Sequence, residues 1–146
     1  MITNERQFRI TRTEAAKFEK ALAQLEKQAD TPSRISPLLR KAERDALASQ
    51  IKSLRGEIRE YESLRKGGYR VFEGASFEEL PRLLIQARIA RGMTQRDLAE
   101  RLLVREQQIQ RYEATEYASA SLSRVREVIE ALDIEVSETV SLEKKA

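Results

Sequence analysis

Apolar side chains recur at alternating steps of three and four through long stretches of this chain, which restricts it to helices packed side by side. Ala15, Phe18, Leu22, Leu25 and Ala29 follow that rhythm first, and Leu47, Ile51, Leu54, Ile58 and Tyr61 follow it again. Steps of three and four straddle the helical repeat, so each set lies on one face. Between them "ADTPSRISP", with Pro32 and Pro37, interrupts the pattern. Two helices joined by such a turn should fold back as an antiparallel hairpin. The second helix, from about Leu38 to Lys66, outlasts the first by several turns. Part of the stripe Leu47, Ile51, Leu54, Ile58 and Tyr61 is then left without an internal partner, an expected contact for a second copy or another protein. The alternative is that the C-terminal part of the chain covers it. Ahead of the hairpin, Phe8 and Ile10 alternate with polar residues in "RQFRITRTEAA", the pattern of a short strand, and Thr11 with Glu14 has the spacing of a capping box.

Gly67 and Gly68 in "RKGGYRVFEGAS" end the periodicity, which divides the chain into a helical hairpin (1–66), a linker (67–75) and a C-terminal domain (76–146). Aromatics are only 5% of the 146 residues, and charged residues 35%, so the expected class is mainly all-α. The absence of any Cys or His excludes disulfides, thiol nucleophiles, Cys/His metal sites and the usual base near neutral pH. Glu57, Glu60 and Glu62 read as a solvated helix face, and nothing resembles a nucleotide-binding loop or a nucleophile elbow. No enzyme activity, cofactor or metal is therefore expected. No signal peptide and no apolar run of about 20 residues occurs, so the expectation is a cytoplasmic protein without a membrane partner. A net charge of +3 is compatible with nucleic acid but does not establish it.

The C-terminal domain reads as four helical segments. Ser76 with Glu79 has the capping-box spacing, Pro81 lies early in the first helix, and Leu80, Leu83, Leu84, Ala87 and Ile89 form its buried side. Gly92 suits a left-handed stop. Thr94 with Asp97 caps the second helix, which ends near Leu102, and the third runs from about Arg105 to Glu113. Ser121 caps the last, with Leu122, Val125, Val128, Ile129 and Leu132 facing inward. Ile134, Val136, Val140 and Leu142 alternate in a β-branched tail, a candidate strand that would pair with a symmetry-related copy.

A helix, a short turn and a second helix form the geometry of a helix-turn-helix. Gln107, Gln110 and Arg111 share one face of the second of these helices, with Arg105 and Glu106 at its start. Gln pairs bidentately with adenine, Arg with guanine, and Glu accepts from cytosine N4, so these five residues are candidates for base readout. Gln95, Arg96, Thr115 and Ser119 are candidates for phosphate contact. The bland alternative is that any solvated helix face is polar.

"LLIQARIARGMTQRDLAERL" followed by "VREQQIQRYEA" resembles the phage-repressor-like (Xre/Cro) helix-turn-helix family over residues 80–136. The pattern is carried by Arg88, Gly92, Thr94, Gln95, Leu98, Ala99, Val104, Ile109 and Glu113. The resemblance implies an internal Arg88–Glu113 pair with a structural role. It also implies a homodimer that reads a near-palindromic site on double-stranded DNA. The turn departs from the family at Leu103, where Gly is usual; a left-handed Leu there costs roughly 1–2 kcal/mol. The resemblance leaves out the N-terminal hairpin. A helical partner-binding region ahead of such a domain is similar to the antitoxins of toxin–antitoxin pairs, with the hairpin holding a toxin. The alternative is an interaction or scaffold protein whose helix-turn-helix docks proteins instead of DNA.

Overall fold

A computed structural model of the chain describes residues 1–69 and 71–142, and among these it contains six α-helices, one 3-10 turn and no strand. The chain divides into two compact units, Met1–Ser63 and a second that begins at Leu64.

In the first unit α1 spans Glu5–Lys27 and α2 begins at Pro37, running to Lys66 across the boundary. Asn4 opens α1: its side-chain oxygen accepts from the Gln7 N–H at 2.9 Å, satisfying one of the first-turn amides that have no helical partner. The strand expected at Phe8 and Ile10 is therefore helix, and the Thr11–Glu14 capping box does not form. The deciding contact is remote, because Phe8 is buried with its ring 5.1 Å from that of Tyr61 while Ile10 stays exposed. Ile2 is buried as well, and the Met1 amino group pairs with Glu57 at 3.2 Å. Ser36 caps α2 by accepting from the Leu39 N–H at 3.2 Å, and Pro37 takes the first position, where its missing N–H costs nothing.

α1 starts earlier than expected and lengthens the cover over the α2 stripe. Ile51 and Tyr61 are buried and Leu47, Leu54 and Ile58 half-buried. The longer α1 supplies Phe8 to the far end of that face. The large apolar residues exposed in this unit are Met1, Ile10 and, around the hairpin turn, Ile35, Leu38 and Leu39.

The second unit holds a 3-10 turn at Phe77–Glu79, then α3 (Leu80–Ala90), α4 (Gln95–Arg101), α5 (Glu106–Ala114) and α6 (Leu122–Ala131). Leu84, Ile85, Leu98, Ile109, Val128 and Leu132 are its most deeply buried large side chains. Burying each stabilises the fold by about 1.5–3 kcal/mol. Three local expectations need correction. Ser76 makes no side-chain cap; Glu79 instead accepts from the Ala75 N–H at 2.7 Å. Leu122 is exposed rather than inward, since as the first residue of α6 it lies outside the face that carries Val128 and Leu132. The tail at 134–142 is not a strand: Val140 and Leu142 are exposed, and no neighbouring strand offers them a ladder.

All four helices of this unit end alike. After α3 the Gly92 N–H reaches the Ile89 carbonyl and the Met93 N–H that of Arg88. The same two bonds recur at Leu103 and Val104 after α4, at Glu116 and Tyr117 after α5, and at Asp133 and Ile134 after α6. This Schellman arrangement satisfies carbonyls that the helix leaves open and needs one left-handed residue. Gly92 provides it without strain at φ 69°, but Leu103, Glu116 and Asp133 adopt it at φ 54°, 47° and 50°. Tyr117 is left-handed too, at φ 58°. The sequence marks only the glycine; the others are held by the core their helices enter.

Candidate nucleic-acid interface

The turn between α4 and α5 is built from both ends. Thr94 accepts from the Asp97 N–H at 3.1 Å, and Asp97 accepts from the Thr94 N–H at 2.7 Å, a reciprocal box that starts α4. Those bonds from Thr94 hold the Asp97 carboxyl below its ordinary range. Leu98 and Ala99 turn inward; α4 packs most extensively on α5 and also touches α6. The small Ala99 carries the closing carbonyl of the turn, bonded by the Val104 N–H at 3.0 Å.

α5 is anchored along one side by Ile109, Tyr112 and Glu113, all buried. Glu113 is the centre of a buried polar knot. Its two oxygens accept from Arg88 Nε at 2.6 Å and Nη2 at 2.8 Å, and the side chains are 1% and 3% exposed respectively. Arg88 Nη1 donates to the Met93 carbonyl at 2.7 Å, and Gln95 Nε2 donates to Glu113 at 2.7 Å. One carboxylate thus ties α5 to α3 and α4, and no buried side-chain polar atom among the described residues is left without a partner. Tyr117 stacks on Tyr112 with ring centroids 5.9 Å apart; its burial, and then the Glu113 carboxylate, push its phenol well above the usual range.

The opposite side of α5 faces solvent. Arg105, Gln107, Gln110 and Arg111 are exposed and Glu106 is half-buried; Gln107, Gln110 and Arg111 share a face by their spacing, with Glu106 one turn before Gln110 and Arg105 at the N-cap. Gln110 Nε2 donates to Glu106 Oε1 at 3.0 Å, one turn away.

The phosphate candidates divide. Gln95 is 5% exposed and its amide nitrogen bonds Glu113, so it belongs to the interior rather than to a phosphate contact. Thr115 Oγ1 lies within hydrogen-bonding reach of the Arg111 carbonyl at 3.0 Å and the Tyr112 carbonyl at 3.3 Å. It also lies 3.2 Å from Ser119 Oγ, a contact in which either hydroxyl can donate, and both residues are exposed. Arg96 is exposed and pairs with Glu100 at 3.0 Å, a surface contact weak enough to be exchanged for a phosphate.

Comparison with known families adds one finding: residues 84–138 match the family model described as Helix-turn-helix. The C-terminal half carries a helix-turn-helix domain. The match supports a DNA-binding regulator of the Xre/Cro type. Curated proteins and solved structures give no significant match. Among the described residues of the chain, no helix is long and apolar enough to cross a membrane, and no cluster of His, Cys, Asp or Glu is placed to hold a metal.

Two basic residues of the helix-turn-helix domain that sequence reading passed over have internal roles. Arg101 Nη1 donates to the Ala131 carbonyl at 2.7 Å, and Arg91 bonds the Asp133 carbonyl. Both guanidinium groups therefore close the C-terminal end of α6, where open carbonyls and the helix dipole favour a cation. Nothing local in the sequence signals this, because donor and acceptor lie on different helices.

Proposed function

We propose that this protein is a sequence-specific transcriptional regulator that reads double-stranded operator DNA through the α5 ridge of Arg105, Glu106, Gln107, Gln110 and Arg111. The observation that carries the reading is the two-sidedness of α5. Its inner face is fixed by Ile109, Tyr112 and the Glu113 carboxylate, while its outer face presents amides and guanidinium forks to solvent. A rigidly held helix with such an exposed edge is what bidentate recognition in a major groove requires. Arg96, Thr115 and Ser119 are the exposed candidates for phosphate contact. The N-terminal hairpin, a compact unit of its own, serves association. A homodimer of such readers binds two half-sites about 34 Å apart.

The finer form of this reading is an antitoxin that represses its own operon and holds a toxin with the hairpin. It is supported by the separation of a helical unit from the reader, and by exposed Ile35, Leu38 and Leu39 at the hairpin turn. Co-purification with the product of an adjoining reading frame, lost on replacing Leu38 and Leu39 by Lys, would establish it.

The regulator reading is tested by titrating the full chain with the DNA upstream of its gene over a range of salt concentrations. Phosphate contacts release counterions, so affinity should fall steeply as salt rises. Replacing Gln107 and Arg111 together by Ala should abolish preference for that DNA over unrelated duplex while the melting temperature stays in place. Binding that ignores salt, or a double variant with undiminished preference, would instead identify a protein-docking module.

A further inference from the structure

Gln110 and Glu106 are one helical turn apart on the reading ridge, and Gln110 Nε2 lies 3.0 Å from Glu106 Oε1. The sense of that contact is dictated by chemistry. A carboxylate only accepts, so the amide atom that faces it has to be the nitrogen. A glutamine on an open helix face can turn its terminal amide over and exchange donor for acceptor. Here the turned amide would set Gln110 Oε1 against the Glu106 carboxylate, two acceptors in contact. The carboxylate is thus a latch on one orientation. It leaves Gln110 Oε1 and the second amide proton directed away from Glu106.

Such an edge, acceptor beside donor in fixed order, complements the N6 amino group and N7 of adenine in the major groove. Guanine offers two acceptors there, so the oxygen would meet O6 unfavourably. We infer that Glu106 is a positioning residue that locks the Gln110 amide and so makes Gln110 an adenine reader in each half-site. The inference rests on the regulator reading above and names what one residue of that site recognises. Exposure supports the division of roles, since Gln110 is exposed and Glu106 half-buried at the first turn of α5. A carboxylate there also suits the helix dipole, a stabilising role that favours no base. Gln107 provides an internal contrast: Val104 and Leu103 precede it, and Gln110 and Arg111 follow it, at the three- and four-residue spacings. No carboxylate on its own helix face can latch it.

The experiment is selection from a pool of randomised duplexes by the full-length chain, with E106Q, Q110A and E106Q/Q110A run in parallel and melting curves recorded for each. The wild type should enrich a site with adenine at a position that Q110A no longer specifies. E106Q should lose discrimination at that position by about tenfold, the scale of one bidentate pair, besides any loss at a base that Glu106 itself meets. In the Q110A background E106Q should change nothing further at the position that Gln110 specifies. If Glu106 acted only on helix stability, E106Q would lower binding to every sequence alike, and that outcome overturns the inference. So does a Q110A variant that keeps the wild-type site. A wild type that enriches no sequence at all sinks the regulator reading itself, and the assignment of Gln110 with it.

Discussion

Leu103 offers a direct measurement of backbone strain in the helix-turn-helix. It closes α4 at φ 54° with a side chain that is 93% exposed. A left-handed conformation costs an L-residue with a Cβ roughly 1–2 kcal/mol. Leu103→Gly removes that cost but gives the unfolded chain more freedom, a loss of about 0.5–1 kcal/mol. Almost no buried apolar area is lost, because the leucine touches mainly solvent. The balance is a stabilisation of about 0.5–1 kcal/mol, and for a domain of this size that raises the melting temperature by ~2–8 °C. Leu103→Ala separates strain from side-chain effects. It keeps the Cβ, and with it the strain, and should stay within about 0.5 kcal/mol of the parent. Thermal unfolding by circular dichroism of the full chain reads both variants, and affinity for a selected duplex should be unchanged in each. The reasoning fails if Leu103→Gly melts at or below the parent, or if Leu103→Ala gains as much as the glycine.

Two further outcomes are expected. Glu113→Gln leaves the buried Arg88 guanidinium without its counter-charge, which should cost about 3–5 kcal/mol in a urea melt. That is a large share of the ~5–15 kcal/mol typical of a domain, whereas Arg96→Ala, at an exposed pair, should cost at most ~1 kcal/mol. A Glu113→Gln loss as small as that of Arg96→Ala would contradict the buried geometry. Tyr117 should make the fold sensitive to alkali. Its folded pKa lies above its ordinary value of 10.0, so its contribution to stability is complete below that pH and disappears as pH rises toward the folded value. Tyrosinate absorbance should then show a step that comes late and together with unfolding, and Tyr117→Phe should remove that step. A late step of unchanged size in Tyr117→Phe would refute it.

The legible features were those whose cause is local. Thr94 and Asp97 are three residues apart and close their own box, Ser121 bonds the Arg124 N–H in its own first turn, and Gly92 carries the left-handed stop of α3. The inward face of α5 followed from the spacing of Ile109 and Tyr112, and its polar ridge from what remained. The misreadings share a different origin. Phe8 and Ile10 alternate as a strand would, and only the ring of Tyr61, brought alongside by α2, makes one of them core and leaves the other in water. Gln95 carries the chemistry of a phosphate ligand, yet Glu113 draws its amide inward. Val140 and Leu142 alternate as a strand would, yet among the described residues their segment forms no strand.

The amino-acid order alone therefore determined the helical class, the caps at Thr94 and Ser121 and the polar face of α5, because periodicity and capping act within one or two turns of chain. Tertiary structure decided which polar groups stay available and which backbone strain is tolerated. Glu113 commits Arg88 and Gln95 to the interior, Ala131 and Asp133 engage Arg101 and Arg91, and Leu103 is held left-handed by the two helices it joins. For Arg88 and Gln95 the reason is burial, because a charge or amide left unpaired in the core would cost the protein more than a local preference of about a kilocalorie.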